Sequence, residues 1–286
     1  MPWTLSTNLD DFRAQAGGFL AAHPAENTVL LTVTDRLAAR GPHYYGDGSP
    51  VFGWWRGAPD GPVEGVFLRT PPFVPRLGLM PERAAAELAV DLAVAGSGST
   101  ALAGVSGAVA AVRAFGDAWA GATGAAGAVK SRERLYRLGD LADPPRPPAG
   151  SARLAGAADR ALLIRWFEEF AAEAGIHIID VEVAVDDRVA GGQLHLWEDA
   201  GRPVAVAGAS AVVAGMSRIG PVYTPRDARG RGYASGVTAA ASAAALAAGA
   251  DEVLLYTDLS NPTSNSIYQQ IGYRPVEDCL ELAFEA

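Results

Sequence analysis

The sequence of 286 residues contains a single cysteine, Cys279, and a single lysine, Lys130. One cysteine excludes an intramolecular disulfide and any metal cluster built on several thiolates. The lysine is not part of a Gly-Lys-Ser or Gly-Lys-Thr sequence, which excludes a P-loop for nucleotide phosphates. The histidines are His23, His43, His177 and His195. None of them shows His-x-x-x-His spacing, so we expect no metal site.

Basic residues are fewer than acidic ones, with 23 Lys and Arg against 32 Asp and Glu and a net charge of −9. A chain of this charge is repelled by nucleic acid and by acidic membrane surfaces, so we expect neither as a partner. Residues 1–11 contain neither a basic region nor an apolar core, so we predict no signal peptide and a cytoplasmic location. Residues 92–112 are uncharged, but their small residues and Gly-Ser-Gly-Ser break predict a helix end, a loop, a strand and a helix start instead of a membrane span.

Four prolines in the segment 143–150, Asp-Pro-Pro-Arg-Pro-Pro-Ala-Gly, mark the middle of the chain. Proline is disfavoured in helix interiors and in central strands, so this segment predicts a stiff, extended connector. We therefore predict an N-terminal domain at 1–142, a linker at 143–150 and a C-terminal domain at 151–286.

The spacing of apolar residues predicts an α/β fold in which helices pack on a mixed (α+β) sheet. The predicted order in the C-terminal domain is α-α-β-β-β-α-β-α-β-β. The N-terminal domain has the same predicted order without the final strand. The predicted helices are 9–22, 24–39, 81–95, 107–120, 157–174, 181–190 and 233–248, with a short one around Tyr268. The predicted strands are 51–56, 63–70, 76–79, 100–105, 128–138, 193–197, 203–210, 216–223, 252–257, 274–276 and 279–284.

The most informative segment is 222–235, Val-Tyr-Thr-Pro-Arg-Asp-Ala-Arg-Gly-Arg-Gly-Tyr-Ala-Ser, which joins a predicted strand to an Ala-rich helix. It contains three arginines, two glycines and one acidic residue, Asp227. A glycine-rich turn that opens a helix presents unpaired backbone N–H groups and the positive end of the helix dipole. Ser235 stands where a dinucleotide-binding fingerprint needs its third glycine. The segment therefore predicts a phosphate site that is neither a P-loop nor a Rossmann loop.

Within this segment, Arg229-x-x-Gly232-x-Ala234 matches the signature Arg/Gln-x-x-Gly-x-Gly/Ala, and the sequence here resembles the GNAT family of acyl-coenzyme A transferases. The resemblance implies that backbone N–H groups of the loop bind the diphosphate of coenzyme A and that the preceding strand contacts its pantetheine arm. Small residues suit positions where the backbone approaches a phosphate oxygen closely. The implied strand contacts are Val222, Tyr223 and Thr224. The implied phosphate cradle is Arg229, Gly230, Arg231, Gly232, Tyr233, Ala234 and Ser235.

A second segment supports the same resemblance. Residues 261–273 read Asn-Pro-Thr-Ser-Asn-Ser-Ile-Tyr-Gln-Gln-Ile-Gly-Tyr and are similar to the GNAT pattern Asn…Asn-x-x-Tyr-x-x-x-Gly-Phe/Tyr. Asn-Pro is typical of a turn. We predict a short helix that is capped by Ser264 or Asn265 and ended by Gly272.

The resemblance also implies roles for three side chains of this segment. Asn261 and Asn265 would contact the pantetheine or adenosine part of the cofactor, and Tyr268 would lie beside its sulfur and serve as general acid. A phenol with a pKa of about 10 is neutral at pH 7 and can donate to a leaving thiolate, whose conjugate acid has a pKa of about 8.5. Outside this context, Tyr268 would be interpreted as an aromatic side chain that packs its helix onto the sheet.

The N-terminal domain lacks both segments. At the position of the loop, residues 79–84 read Leu-Met-Pro-Glu-Arg-Ala, with no glycine and with Glu82, which repels anions. At the position of the tyrosine helix, residues 115–119 read Phe-Gly-Asp-Ala-Trp. We therefore predict two tandem GNAT-like domains, of which the first is degenerate and the second is active.

The resemblance implies an N-acetyltransferase that moves an acetyl group from acetyl-coenzyme A directly to a primary amine, without a metal. We favour a small molecule over a protein as the acceptor, because nothing resembles a peptide-docking module. The alternative is a non-catalytic module that senses acyl-coenzyme A. A nucleotide-using ligase or kinase would need magnesium-binding carboxylates beside the loop, where only Asp227 stands. Whether the chain forms a homodimer is left open.

An amine that attacks a thioester must first lose its proton, so a general base or a chain of water is expected. The candidates are Glu173, His177, Asp180, Glu182 and His195. Their spacing does not favour any one of them.

Overall fold

The structure, a computed structural model, describes residues 2–95 and 102–284, and both helices and strands are spread along the chain. The helices are α1 (Leu9–Ala22), α2 (Thr28–Arg40), α3 (Glu82–Ala95), α4 (Val109–Thr123), α5 (Arg160–Ala174), α6 (Val181–Ala190), α7 (Tyr233–Ala247) and α8 (Pro262–Gln270). The strands are β1 (Trp3–Ser6), β2 (Val51–Trp55), β3 (Gly65–Arg69), β4 (Arg76–Leu77), β5 (Gly104–Ala108), β6 (Gly127–Leu138), β7 (Ser151–Leu154), β8 (Leu194–Asp199), β9 (Arg202–Ala209), β10 (Met216–Tyr223), β11 (Glu252–Asp258) and β12 (Tyr273–Phe284).

The order of elements is the same in both halves of the chain. From β1 to β6 and again from β7 to β12, it is β-α-α-β-β-β-α-β-α-β. Both parallel and antiparallel strand pairs occur, as in the parallel pair β10–β11 and the antiparallel pair β9–β10. The predicted α/β fold with a mixed sheet is therefore confirmed.

The chain forms two compact units, and the first consists of Met1–Arg134 together with Glu277–Ala286. Its sheet follows the order β1-β2-β3-β4-β5, with the second half of β12 antiparallel to β5. Helices α3 and α4 pack against this sheet through buried apolar side chains such as Leu88, Phe115 and Leu282. The core of the first unit therefore includes the last strand of the chain.

The second unit consists of Leu135–Val276. Its sheet runs β7-β8-β9-β10-β11, with the end of β6 beside β11. Neighbouring residues of a strand point to opposite faces. Val206 of β9 accordingly packs with α5 and α6, whereas Ala205 and Ala207 pack with α7 and α8. Helices thus cover both faces of this sheet.

Several predicted elements agree with the structure, and others differ. The bounds of α1, α6 and β10 are those predicted. Strands β1 and β7 were not predicted, because each has four residues and too few apolar positions for a clear period. The predicted strands 274–276 and 279–284 form one continuous strand, β12.

The uncharged segment 92–112 agrees with its prediction where it is described. Helix α3 ends at Ala95, β5 follows at Gly104–Ala108 and α4 begins at Val109. The start of the predicted strand 100–105 lies outside the described residues. None of the helices within the described ranges is long and apolar enough to cross a bilayer.

The boundaries of the two compact units differ from those of the predicted domains, 1–142 and 151–286. Residues 135–142 lie in the second unit, and residues 277–286 lie in the first. In β12, residues from Cys279 to Ala283 pair with residues from Ala108 to Gly104. A pairing between positions so distant in sequence leaves no local signal from which a boundary could be predicted.

Candidate functional site

Strands β10 and β11 are paired only along part of their length. Met216–Ile219 lie beside Glu252–Leu255 in parallel register, and the ladder of described residues ends there although both strands continue. On its other side, β10 is irregular between Ile219 and Val222 and then continues to pair with β9. The end of β10 therefore has backbone groups that an extended ligand with amide groups can pair with.

A glycine-rich turn follows the end of β10. After a single 3₁₀ turn at Arg226–Ala228, Gly230 and Gly232 adopt φ angles of +78° and +82°, and α7 begins at Tyr233. These angles lie in the left-handed region, which glycine occupies without steric cost. Gly232 is the N-cap of α7, and no side chain caps this helix end.

The N–H groups of this turn are unpaired. Among the described residues, none of the N–H groups from Gly230 to Ser235 donates to a protein acceptor, and the first that does so is that of Gly236, to the Gly232 carbonyl. The first N–H groups of any helix lack intrahelical partners and attract anions. Here two left-handed glycines extend that array into the preceding loop, which produces an anion site larger than a helix end alone.

The three arginines of the loop have different surroundings. Arg231 is exposed and makes no ion pair within the part of the chain that the structure describes. Arg226 Nε lies 3.1 Å from Glu173 Oε1, and Arg229 Nη2 lies 2.6 Å from Glu173 Oε2. Arg231 is therefore the loop arginine whose charge is available to an anion.

The signature arginine, Arg229, is turned back towards the strand that precedes it. Its Nε donates to the Thr224 carbonyl at 2.9 Å, and its guanidinium lies 5.8 Å from the centre of the Tyr223 ring. The hydrogen bond from Arg229 keeps the pKa of the Glu173 carboxyl below its usual value. Two of the three guanidinium nitrogens of Arg229, Nε and Nη2, are therefore engaged by the protein.

The predicted strand contacts point in different directions. Val222 packs with the α7 side of the sheet, whereas Tyr223 packs with the α5 side and donates from Oη to Glu169 Oε2 at 2.8 Å. The Thr224 hydroxyl is buried without a hydrogen-bond partner among the described residues. A ligand in the opening of the sheet would therefore contact the backbone of these residues, together with the Val222 side chain.

The two asparagines of the second segment have structural partners. Asn261 caps α8, because its Oδ1 accepts from Ser264 N at 3.0 Å, so the prediction of Ser264 or Asn265 as the cap was wrong. Asn265 Nδ2 donates to the carbonyls of Asp258 and Asn261, both at 2.8 Å, and its Oδ1 accepts from Tyr136 Oη at 2.9 Å. These bonds hold α8 against the end of β11.

Tyr268 lies on α8 and its side chain is 8% exposed. Its ring lies 6.1 Å from that of Tyr273, edge to face. Its hydroxyl has no hydrogen-bond partner among the described residues, whereas the Tyr273 hydroxyl lies 2.7 Å from Ser242 Oγ. Burial raises the pKa of Tyr268 to about 12. The side chain is therefore a neutral phenol with an unused donor.

The five candidate bases have different surroundings in the structure. Glu173 is paired with two arginines, Asp180 Oδ1 accepts from Val183 N at 3.0 Å, and Glu182 lies 2.8 Å from Arg160. His177 is exposed and also takes part in an interaction within the protein.

His195, on β8, differs from the other four. It is 9% exposed, and burial lowers its pKa, so the imidazole is neutral at pH 7. Among the five, His195 is the buried group whose protonation state suits a base.

A feature that the sequence analysis missed is the position of the proline-rich segment. A Cβ added to Gly232 would lie 3.3 Å from the Arg146 carbonyl, and one added to Gly236 would lie 2.8 Å from Pro148. Trp197 Nε1 donates to the Ala149 carbonyl at 2.8 Å. Segment 143–150 therefore packs along the start of α7, where the exposed Arg146 adds a second cation beside the loop.

The corresponding part of the first unit has different chemistry. Helix α3 begins at Glu82 after Pro81, and Arg76 pairs with Ser106 in the short parallel contact between β4 and β5. Phe115 and Trp119 lie in the core of this unit. No group of three His, Cys, Asp or Glu side chains in either described range is arranged to bind a metal ion.

Comparison with known proteins agrees with this geometry. Residues 202–281, which include the loop and α8, match the family model described as FR47-like protein. No curated protein matches the sequence.

Solved structures share the fold over nearly the whole chain. A GNAT-family acetyltransferase from Colwellia psychrerythraea has 14% identity and a TM-score of 0.61, with 100% of both chains covered. A GCN5-related N-acetyltransferase from Sphaerobacter thermophilus has 16% identity and a TM-score of 0.62, with 98% of this chain and 95% of that one covered. A Drosophila protein has 12% identity and a TM-score of 0.67, with 99% and 98% covered. The family-model match covers residues 202–281, and the solved structures share the fold along the chain, so this protein has the fold of the GNAT acetyltransferases.

Proposed function

We propose that the second unit transfers an acetyl group from acetyl-coenzyme A to a primary amine of a small molecule. The observation that carries this proposal is the row of unpaired N–H groups from Gly230 to Ser235, at the start of α7 and directly after the free end of β10. A diphosphate offers the several closely spaced oxygen acceptors that such a row requires.

The residues present suit the parts of this cofactor. The N–H groups of 230–235 would bind the diphosphate, with Arg231 as a nearby cation. The backbone of Val222–Thr224 would pair with the amide groups of the pantetheine arm, in the opening where β10 leaves β11. When bound, the cofactor supplies an activated acyl group and a thiolate as leaving group.

Tyr268 would act as the acid and His195 as the candidate base. The neutral phenol of Tyr268 donates a hydrogen bond and a proton to the sulfur as negative charge develops there. The neutral imidazole of His195 can accept a proton from the ammonium form of the acceptor, directly or through water.

Transfer would be direct, without an acyl-enzyme intermediate. Cys279, the single thiol, is 3% exposed, and burial raises its pKa to about 11, so it is protonated at pH 7. A thiol nucleophile has to be accessible and ionised. The acceptor amine therefore attacks the thioester itself.

Two measurements test this proposal. Titration calorimetry with acetyl-coenzyme A should show saturable binding, and a thiol reagent should detect coenzyme A release when small amines are added. Absence of binding to acetyl-coenzyme A or longer acyl homologues would contradict the proposal. Tight binding without turnover on any amine would favour the alternative, a sensor of acyl-coenzyme A.

A glycine substitution tests the loop. Gly232→Ala should lower the free energy of unfolding by about 1–2 kcal/mol, because a Cβ is unfavourable at positive φ. It should also weaken binding of acetyl-coenzyme A about tenfold, since the new Cβ crowds the Arg146 carbonyl and displaces the loop. Chemical denaturation and calorimetry measure the two effects.

The matched control for this variant is Gly249→Ala, at the other end of α7. Gly249 has a φ of +91° and open space around a Cβ, so the variant should cost similar stability and leave cofactor binding unchanged. Equal binding by Gly232→Ala and wild type would contradict the assignment of the loop.

A further inference from the structure

We infer that Glu173, at the end of α5, is a positioning residue that holds the phosphate-binding loop through Arg229 and Arg226. This inference rests on the proposed function and assigns the signature arginine to loop geometry instead of to contact with phosphate. It also removes Glu173 from the candidate bases.

The contacts of Glu173 show how the loop is held. Its two carboxylate oxygens are divided between Arg226 Nε at 3.1 Å and Arg229 Nη2 at 2.6 Å. These arginines lie at the two ends of the short turn that precedes Gly230. One carboxylate therefore fixes the separation of both ends of the turn.

Arg229 extends the connection to the strand. Its Nε donates to the Thr224 carbonyl at 2.9 Å, so the guanidinium connects the end of β10, the end of the turn and α5. One helical turn before Glu173, Glu169 accepts from Tyr223 Oη at 2.8 Å. Helix α5 thus contacts both the strand end and the loop, and the direction of the N–H groups after Arg229 depends on these contacts.

The charge of Glu173 is otherwise unfavourable at this place. A carboxylate in the last turn of a helix faces the negative end of the helix dipole, and α5 has no basic residue in that turn. A lone carboxylate beside a diphosphate would also repel it. The two arginines offset both effects and leave the group of three with a net positive charge.

The test compares Glu173→Ala with Glu168→Ala. Glu168 is exposed on the same helix and has no partner among the described residues, so its variant makes the same change of charge without the loop contacts. In Glu173→Ala, the dissociation constant and KM for acetyl-coenzyme A should rise about five- to tenfold, because both charge-assisted hydrogen bonds are partly exposed and of moderate strength. At saturating cofactor, kcat should change by less than about twofold, and Glu173→Gln, which retains an acceptor oxygen, should recover part of the affinity.

A double variant and hydrogen exchange test whether Glu173 acts through Arg229. In an Arg229→Ala background, Glu173→Ala should weaken binding by less than about twofold further, since only the longer and more exposed contact with Arg226 remains to be lost. Amide hydrogen exchange of the paired N–H groups of Ala228, Arg229 and Gly236, measured without cofactor, should be about tenfold faster in Glu173→Ala than in Glu168→Ala.

Each outcome decides the inference. A lower kcat with unchanged KM would make Glu173 a base and overturn it, and so would tighter binding by Glu173→Ala, which would show simple repulsion. If wild-type protein binds no acetyl-coenzyme A, the proposed function fails, while hydrogen exchange still tests the contact of Glu173 with the loop.

Discussion

Tyr268→Phe is expected to lower kcat about 100-fold, towards the lower end of the effect of a positioned general acid. The phenol is nearly buried and neutral, and its hydroxyl has no protein partner among the described residues, so it can donate to the sulfur as proposed. The ring is retained in phenylalanine, so packing of α8 and binding of acetyl-coenzyme A should change little. Release of coenzyme A at saturating substrates measures kcat, and calorimetry measures binding.

The control is Tyr273→Phe, a neighbour 6.1 Å away between ring centres. Its hydroxyl bonds to Ser242 inside the core, so this variant should cost stability of about 1 kcal/mol and leave kcat within about twofold. If both variants lose activity equally, or if Tyr268→Phe keeps it, Tyr268 is a packing residue.

The pH profile of wild-type kcat provides a second check on Tyr268. Burial raises its pKa to about 12, so the acid stays protonated through the ordinary alkaline range. Ionisation of Tyr268 should therefore cause no loss of kcat below about pH 11. A falling limb near pH 10 that disappears in Tyr268→Phe would contradict a buried phenol.

Removal of residues 277–286 is expected to unfold the first unit. This truncation deletes the half of β12 that pairs with β5, and with it the buried side chains of Leu280 and Leu282. Burial of two leucines contributes about 3–6 kcal/mol, a large part of the 5–15 kcal/mol that stabilises an ordinary domain. The loss also leaves β5 as an unpaired edge that favours aggregation.

Hydrogen exchange in peptides from β5 and α4 measures this effect directly. A chain that ends at Phe284 keeps all of β12 and serves as the control. A matched pair of single variants, Leu282→Ala and Glu281→Ala, tests the contribution of the buried side chain while the strand is kept. We expect Leu282→Ala alone to lower the free energy of unfolding by about 2–5 kcal/mol. Unchanged exchange in the truncated chain would show that the first unit does not depend on its last strand.

The elements nearest the site were predicted well because their signals are local. Strand β10 agrees with the prediction at both ends, and α7 begins at Tyr233 as predicted. Apolar periodicity specifies the strand, and the glycines Gly230 and Gly232 mark where the helix can start. The cap of α8 was misassigned because Asn261, Ser264 and Asn265 are all good capping residues and only the backbone geometry distinguishes them.

The side chains around the loop could not be assigned from sequence. Arg229 belongs to the signature, but its partner Glu173 lies on another helix, so their ion pair has no sequence pattern. The packing of segment 143–150 against Gly232 and Gly236 is likewise a contact between distant positions. The exposure of His195 separates it from the other candidate bases only once the strands are assembled.

The amino-acid sequence by itself determined most of the order of helices and strands, except β1, β7 and the continuity of β12, and it determined the glycine turn at the start of α7. These features follow from the spacing of neighbouring residues. Tertiary structure alone decided which arginine stays unpaired, which unit receives the last strand, and that the Tyr268 hydroxyl has no protein partner among the described residues. These properties depend on contacts between residues far apart in the chain, and such contacts exist only after the sheet has formed.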